Sequence, residues 1–93
     1  MIFVETTGGL KRDRELAEEV MWFCIETLMP RMKNLMVEAE ITKIEGDTLG
    51  YAWSVEDNRD CMIQIDSRLS RDLSRDKFIE AVCHEMVHVW QIA

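Results

Sequence analysis

The two histidines of this 93-residue sequence, His84 and His88, stand four positions apart, and Glu85 directly follows the first. On a helix of about 3.6 residues per turn, positions four apart share a face, with Cβ atoms about 5–6 Å apart. Both imidazoles can then reach one metal ion at about 2.0–2.1 Å. Glu85 leaves from the flank of that face, so its carboxylate can meet a metal-held water without ligating the metal. Zinc lowers the pKa of such a water towards about 7, and a neighbouring carboxylate takes its proton as it attacks a carbonyl. The proton then passes to the leaving amine. This is the chemistry of an H-E-x-x-H motif on a helix. It predicts His84 and His88 as zinc ligands and Glu85 as the general base of peptide-bond hydrolysis. The competing reading is a pair of hydrogen-bonded core histidines on a zinc-free α+β domain. It is the weaker one, because two imidazoles and a carboxylate buried without partners on an apolar helix are costly.

The elements around the motif follow from periodicity. The helix that carries it is expected to run from about Arg75 towards the end of the sequence, with Ser74 as N-cap and Asp76 in the first turn. Phe78, Ile79, Ala81, Val82, Cys83, Met86, Val87, Val89, Trp90 and Ile92 leave it almost no polar face, which predicts burial on several sides. Upstream, Leu16, Val20, Phe23, Cys24, Thr27 and Leu28 recur at helical spacing from about Asp13 to Met29. Asp13 is the expected N-cap, Glu15 lies in the first turn, and Pro30 closes the segment. Ile2-Phe3-Val4 reads as a short strand broken by Gly8-Gly9. Val37, Ala39 and Ile41 alternate with polar residues, as do Leu49, Tyr51, Trp53 and Val55, and then Cys61, Ile63 and Ile65. Turns at Gly46-Asp47 and Asp57-Asn58-Arg59 join these runs into an expected three-stranded antiparallel meander. Ser67 to Leu73 reads as a polar linker with room for one helical turn.

Composition narrows the function classes. The hydrophobic share of 47% and charged share of 31% describe one globular domain with a modest core. A net charge of −7 repels a phosphate backbone, so direct nucleic-acid binding is not expected. Arg68, Arg71, Arg75 and Lys77 are interleaved with Asp66, Asp72 and Asp76, which cancel most of their field. No apolar run approaches the roughly 20 residues of a bilayer span. Met1-Ile2-Phe3-Val4-Glu5 has no charged leader followed by a long apolar stretch, so a cytoplasmic setting is expected. Cys24, Cys61 and Cys83 form no C-x-x-C pair and read as buried thiols. Trp22, Trp53 and Trp90 read as core or cleft-wall residues, and the seven methionines as packing.

The run Val82-Cys83-His84-Glu85-Met86-Val87-His88-Val89-Trp90-Gln91 resembles the active helix of the SprT-like zinc metallopeptidases. Leu49-Gly50-Tyr51-Ala52 and Ile63-Gln64-Ile65-Asp66-Ser67-Arg68-Leu69 are similar to that family's sheet and pre-helix segments. The resemblance implies a zincin-like minimal α+β domain over residues 1–93: an N-terminal helix, a small sheet, then the motif helix. It also implies a protein or peptide substrate held by β-augmentation along an edge strand. The family's third protein ligand lies beyond the active helix, whereas this sequence stops at Ala93, which predicts the N-terminal part of a longer protein. Within the sequence the third ligand stays open among Glu56, Asp57, Asp60, Cys61 and Asp66. Gln91 lies near the histidine face but is a poor zinc ligand, and the C-terminal carboxylate or a second subunit are further sources. A catalytically incomplete metal-binding or interaction domain of the same fold is the alternative. The apolar end of the motif helix, Trp90 and Ile92 above all, suggests a homo-oligomer formed through that helix.

Overall fold

The computed structural model describes residues 1–55, 59–71 and 75–93. Its elements are β1 (Ile2–Gly8), α1 (Lys11–Leu28), β2 (Leu35–Thr42), β3 (Gly50–Ser54), β4 (Asp60–Asp66), α2 (Arg68–Arg71) and α3 (Arg75–Ile92). The α+β class and the two long helices agree with the periodicity. The sheet does not: it has four strands in the order β1-β2-β4-β3, with β1 parallel to β2, β2 parallel to β4, and only β3 antiparallel to β4. The three-stranded antiparallel meander is therefore wrong in its pairing. β4 inserts between β2 and β3, and β1 joins the sheet as a full edge strand.

The reason lies in which residues need two neighbours. Leu35, Val37, Ala39 and Ile41 of β2 and Cys61, Ile63 and Ile65 of β4 are all buried, and placing these two strands centrally covers them best. Their register sets Val37 against Cys61, Ala39 against Ile63 and Ile41 against Ile65, giving one continuous apolar face. α1 and α3 cover that face, contributing Ala17, Met21, Cys24 and Ile25 from one helix and Phe78, Val82, Met86 and Val89 from the other. The opposite face of the sheet carries exposed Phe3, Met36, Tyr51 and Trp53 beside Glu38, Glu40 and Gln64.

Local details depart from expectation in instructive ways. α1 starts at Lys11 behind an extended Leu10 that makes no side-chain cap. Asp13 is not the N-cap but lies in the first turn, where the helix dipole favours a carboxylate. The buried face of α1 is rotated towards Ala17, Met21 and Ile25, so Phe23 and Thr27 point to solvent. α3 is buried on one face rather than several: Val87 and Trp90 are exposed, and Ile92 is half-buried. Trp22, Trp53 and Trp90 are all exposed, so none is a core residue. Cys24 and Cys61 are buried, but Cys83 is only partly so. Ser74, expected to cap α3, lies outside the described residues, as does the turn at Asp57-Asn58. Gly8, which ends β1, has φ +77°, and a Cβ there would lie 2.2 Å from the carbonyl oxygen of Ile41. Only glycine fits that corner between β1 and α1. No helix among the described residues is long and apolar enough to cross a membrane.

Candidate metal centre

α3 carries all three motif residues. His84 and His88 stand one turn apart on the exposed side of the helix, with ring centroids 4.9 Å apart and ring planes at 85°. Their Nε2 atoms face each other at 3.3 Å. Two nitrogens bound to one tetrahedral ion at about 2.0–2.1 Å are themselves about 3.3–3.4 Å apart. The donor pair thus already has the spacing of two such ligands.

The next turn of the helix bears on the tautomer. His88 Nδ1 lies 3.3 Å from Gln91 Oε1. An amide oxygen only accepts, so this contact is a hydrogen bond in the tautomer with its proton on Nδ1, the one that turns an Nε2 lone pair towards His84. That lone pair needs a proton from His84 or a cation between the rings. Partners of this kind orient metal-binding imidazoles.

Glu85 points the other way, into the protein, and is only 5% exposed. Its neighbour across the cleft is Gly50, at the start of β3. A Cβ on Gly50 would lie 2.7 Å from Glu85 Oε2 and 2.9 Å from the carbonyl oxygen of Gln64. The missing side chain is what lets β3 approach the carboxylate. Burial pushes the Glu85 carboxyl above its ordinary value, against the pull of the two histidines beside it. A raised carboxyl is better matched to accepting a proton near neutral pH.

Two cavities meet at this point and share Gly50, His84 and Glu85. One, of about 390 Å³, runs past Tyr51, Ala52, His88 and Gln91. The other, of about 360 Å³, runs past Leu49, Leu69 and Ala81. Together they make one cleft between β3 and α3, with the Glu85 carboxylate at its waist.

The described candidates for a third ligand, Asp60, Cys61 and Asp66, do not gather here. Cys61 is fully buried in the core-facing row of β4. Asp66 is also fully buried and accepts hydrogen bonds from Ile44 N at 3.3 Å, Arg68 N at 2.8 Å and the Arg68 guanidinium at 2.6 and 2.9 Å. Asp60 opens β4 in register with Met36, on the side of the sheet away from the helices. Glu56 and Asp57 lie outside the described residues. Among the described residues no three His, Cys, Asp or Glu side chains are grouped to hold an ion. Burial, reinforced by Cys83 with its Sγ at 3.8 Å, pushes the Cys24 thiol up to about 12.

Sequence reasoning found the histidines and the glutamate but gave no site role to Gly50 beyond strand membership. Its only signal was a glycine at the head of an alternating run, which also suits an ordinary turn. Comparison of the chain with protein-family models, curated proteins and solved structures finds no match.

Proposed function

We propose that this chain is a zinc-dependent peptidase domain of SprT-like type, with His84 and His88 as metal ligands and Glu85 as the general base. The observation that carries the reading is the 3.3 Å separation of the two Nε2 atoms beside a buried carboxylate. The donor pair suits zinc: two imidazoles stand at tetrahedral spacing, and the amide oxygen of Gln91 lies beside the far nitrogen of one of them. When bound, zinc supplies Lewis acidity, polarising a carbonyl and making water acidic near neutral pH. Glu85 is the residue that would take a proton from the attacking water and pass it to the leaving amine. Its burial excludes bulk water from that transfer, and Gly50 leaves room for it. β3 is an edge strand, and an extended peptide added along it would be held by main-chain hydrogen bonds next to Glu85.

A second reading has one observation in its favour. No third ligand gathers among the described residues, which suits a metal-binding or interaction domain without catalysis. Zinc content and affinity separate the two. We expect about one zinc per chain, lost in His84→Ala, with the third protein donor supplied from outside the described residues. Zinc-free protein, or a His84→Ala variant that keeps its zinc, overturns the assignment. Exposed Trp90 and Val87 on the same helix would be covered in a homodimer formed through α3. Sedimentation should then show self-association that Trp90→Glu abolishes, and a strictly monomeric parent at high concentration removes the dimer.

A further inference from the structure

The half of the cleft away from His88 is lined differently from the half that holds it. Its walls are Leu49 and Thr48 from the segment before β3, Leu69 from α2, and Ala81 from α3, with Lys77 and Glu80 at the side. Leu69 is only 1% exposed and forms part of the core, so the floor is fixed rather than a loose surface leucine. Lys77 Nζ and Glu80 Oε2 are 3.9 Å apart, one turn along the helix, and their charges largely cancel. What remains is a recess with an apolar floor of Leu49, Leu69 and Ala81, bordered by His84 and Glu85 where it joins the rest of the cleft. At about 360 Å³ it is near the lower end of the roughly 300–1,000 Å³ typical of ligand pockets, which suits one side chain rather than several.

We propose that this recess is a specificity subsite for one uncharged apolar side chain of an extended peptide, next to the bond that Glu85 serves. The identity of the occupant rests on the peptidase reading, because the recess joins the His84-Glu85 cleft at Gly50. A peptide lying along β3 would have side chains that alternate across its axis, so one of them faces the helix side while its main chain stays on the strand edge. Leucine or phenylalanine there removes apolar area from water against Leu69, Leu49 and Ala81. Lysine or glutamate there loses hydration against the apolar floor, with only the balanced Lys77–Glu80 pair and the largely buried Glu85 carboxyl to set against that loss.

The test reads binding rather than turnover. Blocked tripeptides Ac-Gly-X-Gly-NH2, with X as Ala, Leu, Lys or Glu, are titrated into the zinc-free chain and followed by amide NMR shifts. The Leu peptide is expected to bind at least about tenfold more tightly than the others, with shifts centred on Leu49, Leu69 and Ala81. Ala81→Met fills the recess and should remove that preference. Leu49→Ser, at an exposed position, should weaken it without a folding cost. Equal affinities for all four peptides, shifts centred elsewhere, or a leucine preference that survives both substitutions would overturn the subsite. Selective binding by a chain that never hydrolyses peptides supports the subsite and counts against the peptidase reading. Hydrolysis with no side-chain selectivity does the reverse.

Discussion

Glu85→Gln is expected to bind zinc as the parent chain does and to hydrolyse peptides about 10²–10⁴-fold more slowly, the usual contribution of a positioned general base. Glutamine keeps the shape of glutamate beside Gly50, where even an added Cβ would lie 2.7 Å from Oε2. It cannot accept and release the proton. The two histidines are untouched, so the metal should remain. The variant also replaces a buried carboxylate, whose ionisation burial disfavours, with a neutral amide. The metal-free variant should therefore melt no lower than the parent, which separates lost chemistry from a damaged fold. Zinc analysis, peptide cleavage and a melting curve on the same preparation decide the matter. Undiminished hydrolysis would remove Glu85 from the mechanism, and loss of zinc would instead make it a ligand.

The parts of this site that were legible in sequence are those that local geometry dictates. His84 and His88 share a face because a helix repeats every 3.6 residues, whatever lies around it. The two long helices and the apolar rows of β2 and β4 were legible for the same reason, since alternation and helical spacing are properties of one segment at a time. Pairing is not such a property. Val37 and Cys61 show which face of each strand is buried, but not that β4 would lie between β2 and β3. The approach of Gly50 to Glu85 depends on that pairing and was hidden with it. The tryptophans, expected in the core or on a cleft wall, stay out of the core for a related reason. A layered fold leaves one side of its sheet and one side of each helix wet, and Trp53, Trp22 and Trp90 fall on those sides. Asp66 was visible as a carboxylate near the site, but nothing local to it announced that its oxygens are already occupied.

That occupancy makes Asp66→Ala the substitution with the largest expected effect on the fold. Asp66 is fully buried and accepts from three groups on two residues: the backbone N–H of Ile44, the backbone N–H of Arg68 and the Arg68 guanidinium. The same guanidinium donates to the carbonyl oxygens of Ile44 and Gly46 at 3.3 and 3.0 Å. The pair clips the segment after β2 to the end of β4, and that segment leads directly to Gly50. Breaking a fully buried ion pair costs about 3–5 kcal/mol. The Arg68 side chain is 41% exposed and can rehydrate, so the smaller scale of about 1.5–3 kcal/mol for hydrogen bonds to a charged group applies here. In a domain of this size that loss lowers the melting temperature by about 10–20 °C. The pH dependence gives a second check. Hydrogen bonding to Arg68 holds the Asp66 carboxyl below its ordinary value of 3.8, against the opposing effect of burial. A carboxyl lowered in the folded state stabilises fully above its unfolded pKa and loses that contribution as pH falls through the folded value. The gap between parent and Asp66→Ala melting temperatures should therefore be full at pH 7 and shrink progressively below about pH 4. A gap that is absent at pH 7, or that stays constant down to pH 2, would mean that the clip contributes nothing through its charge. A full gap accompanied by weakened zinc binding would tie the clip to the site through the one segment they share.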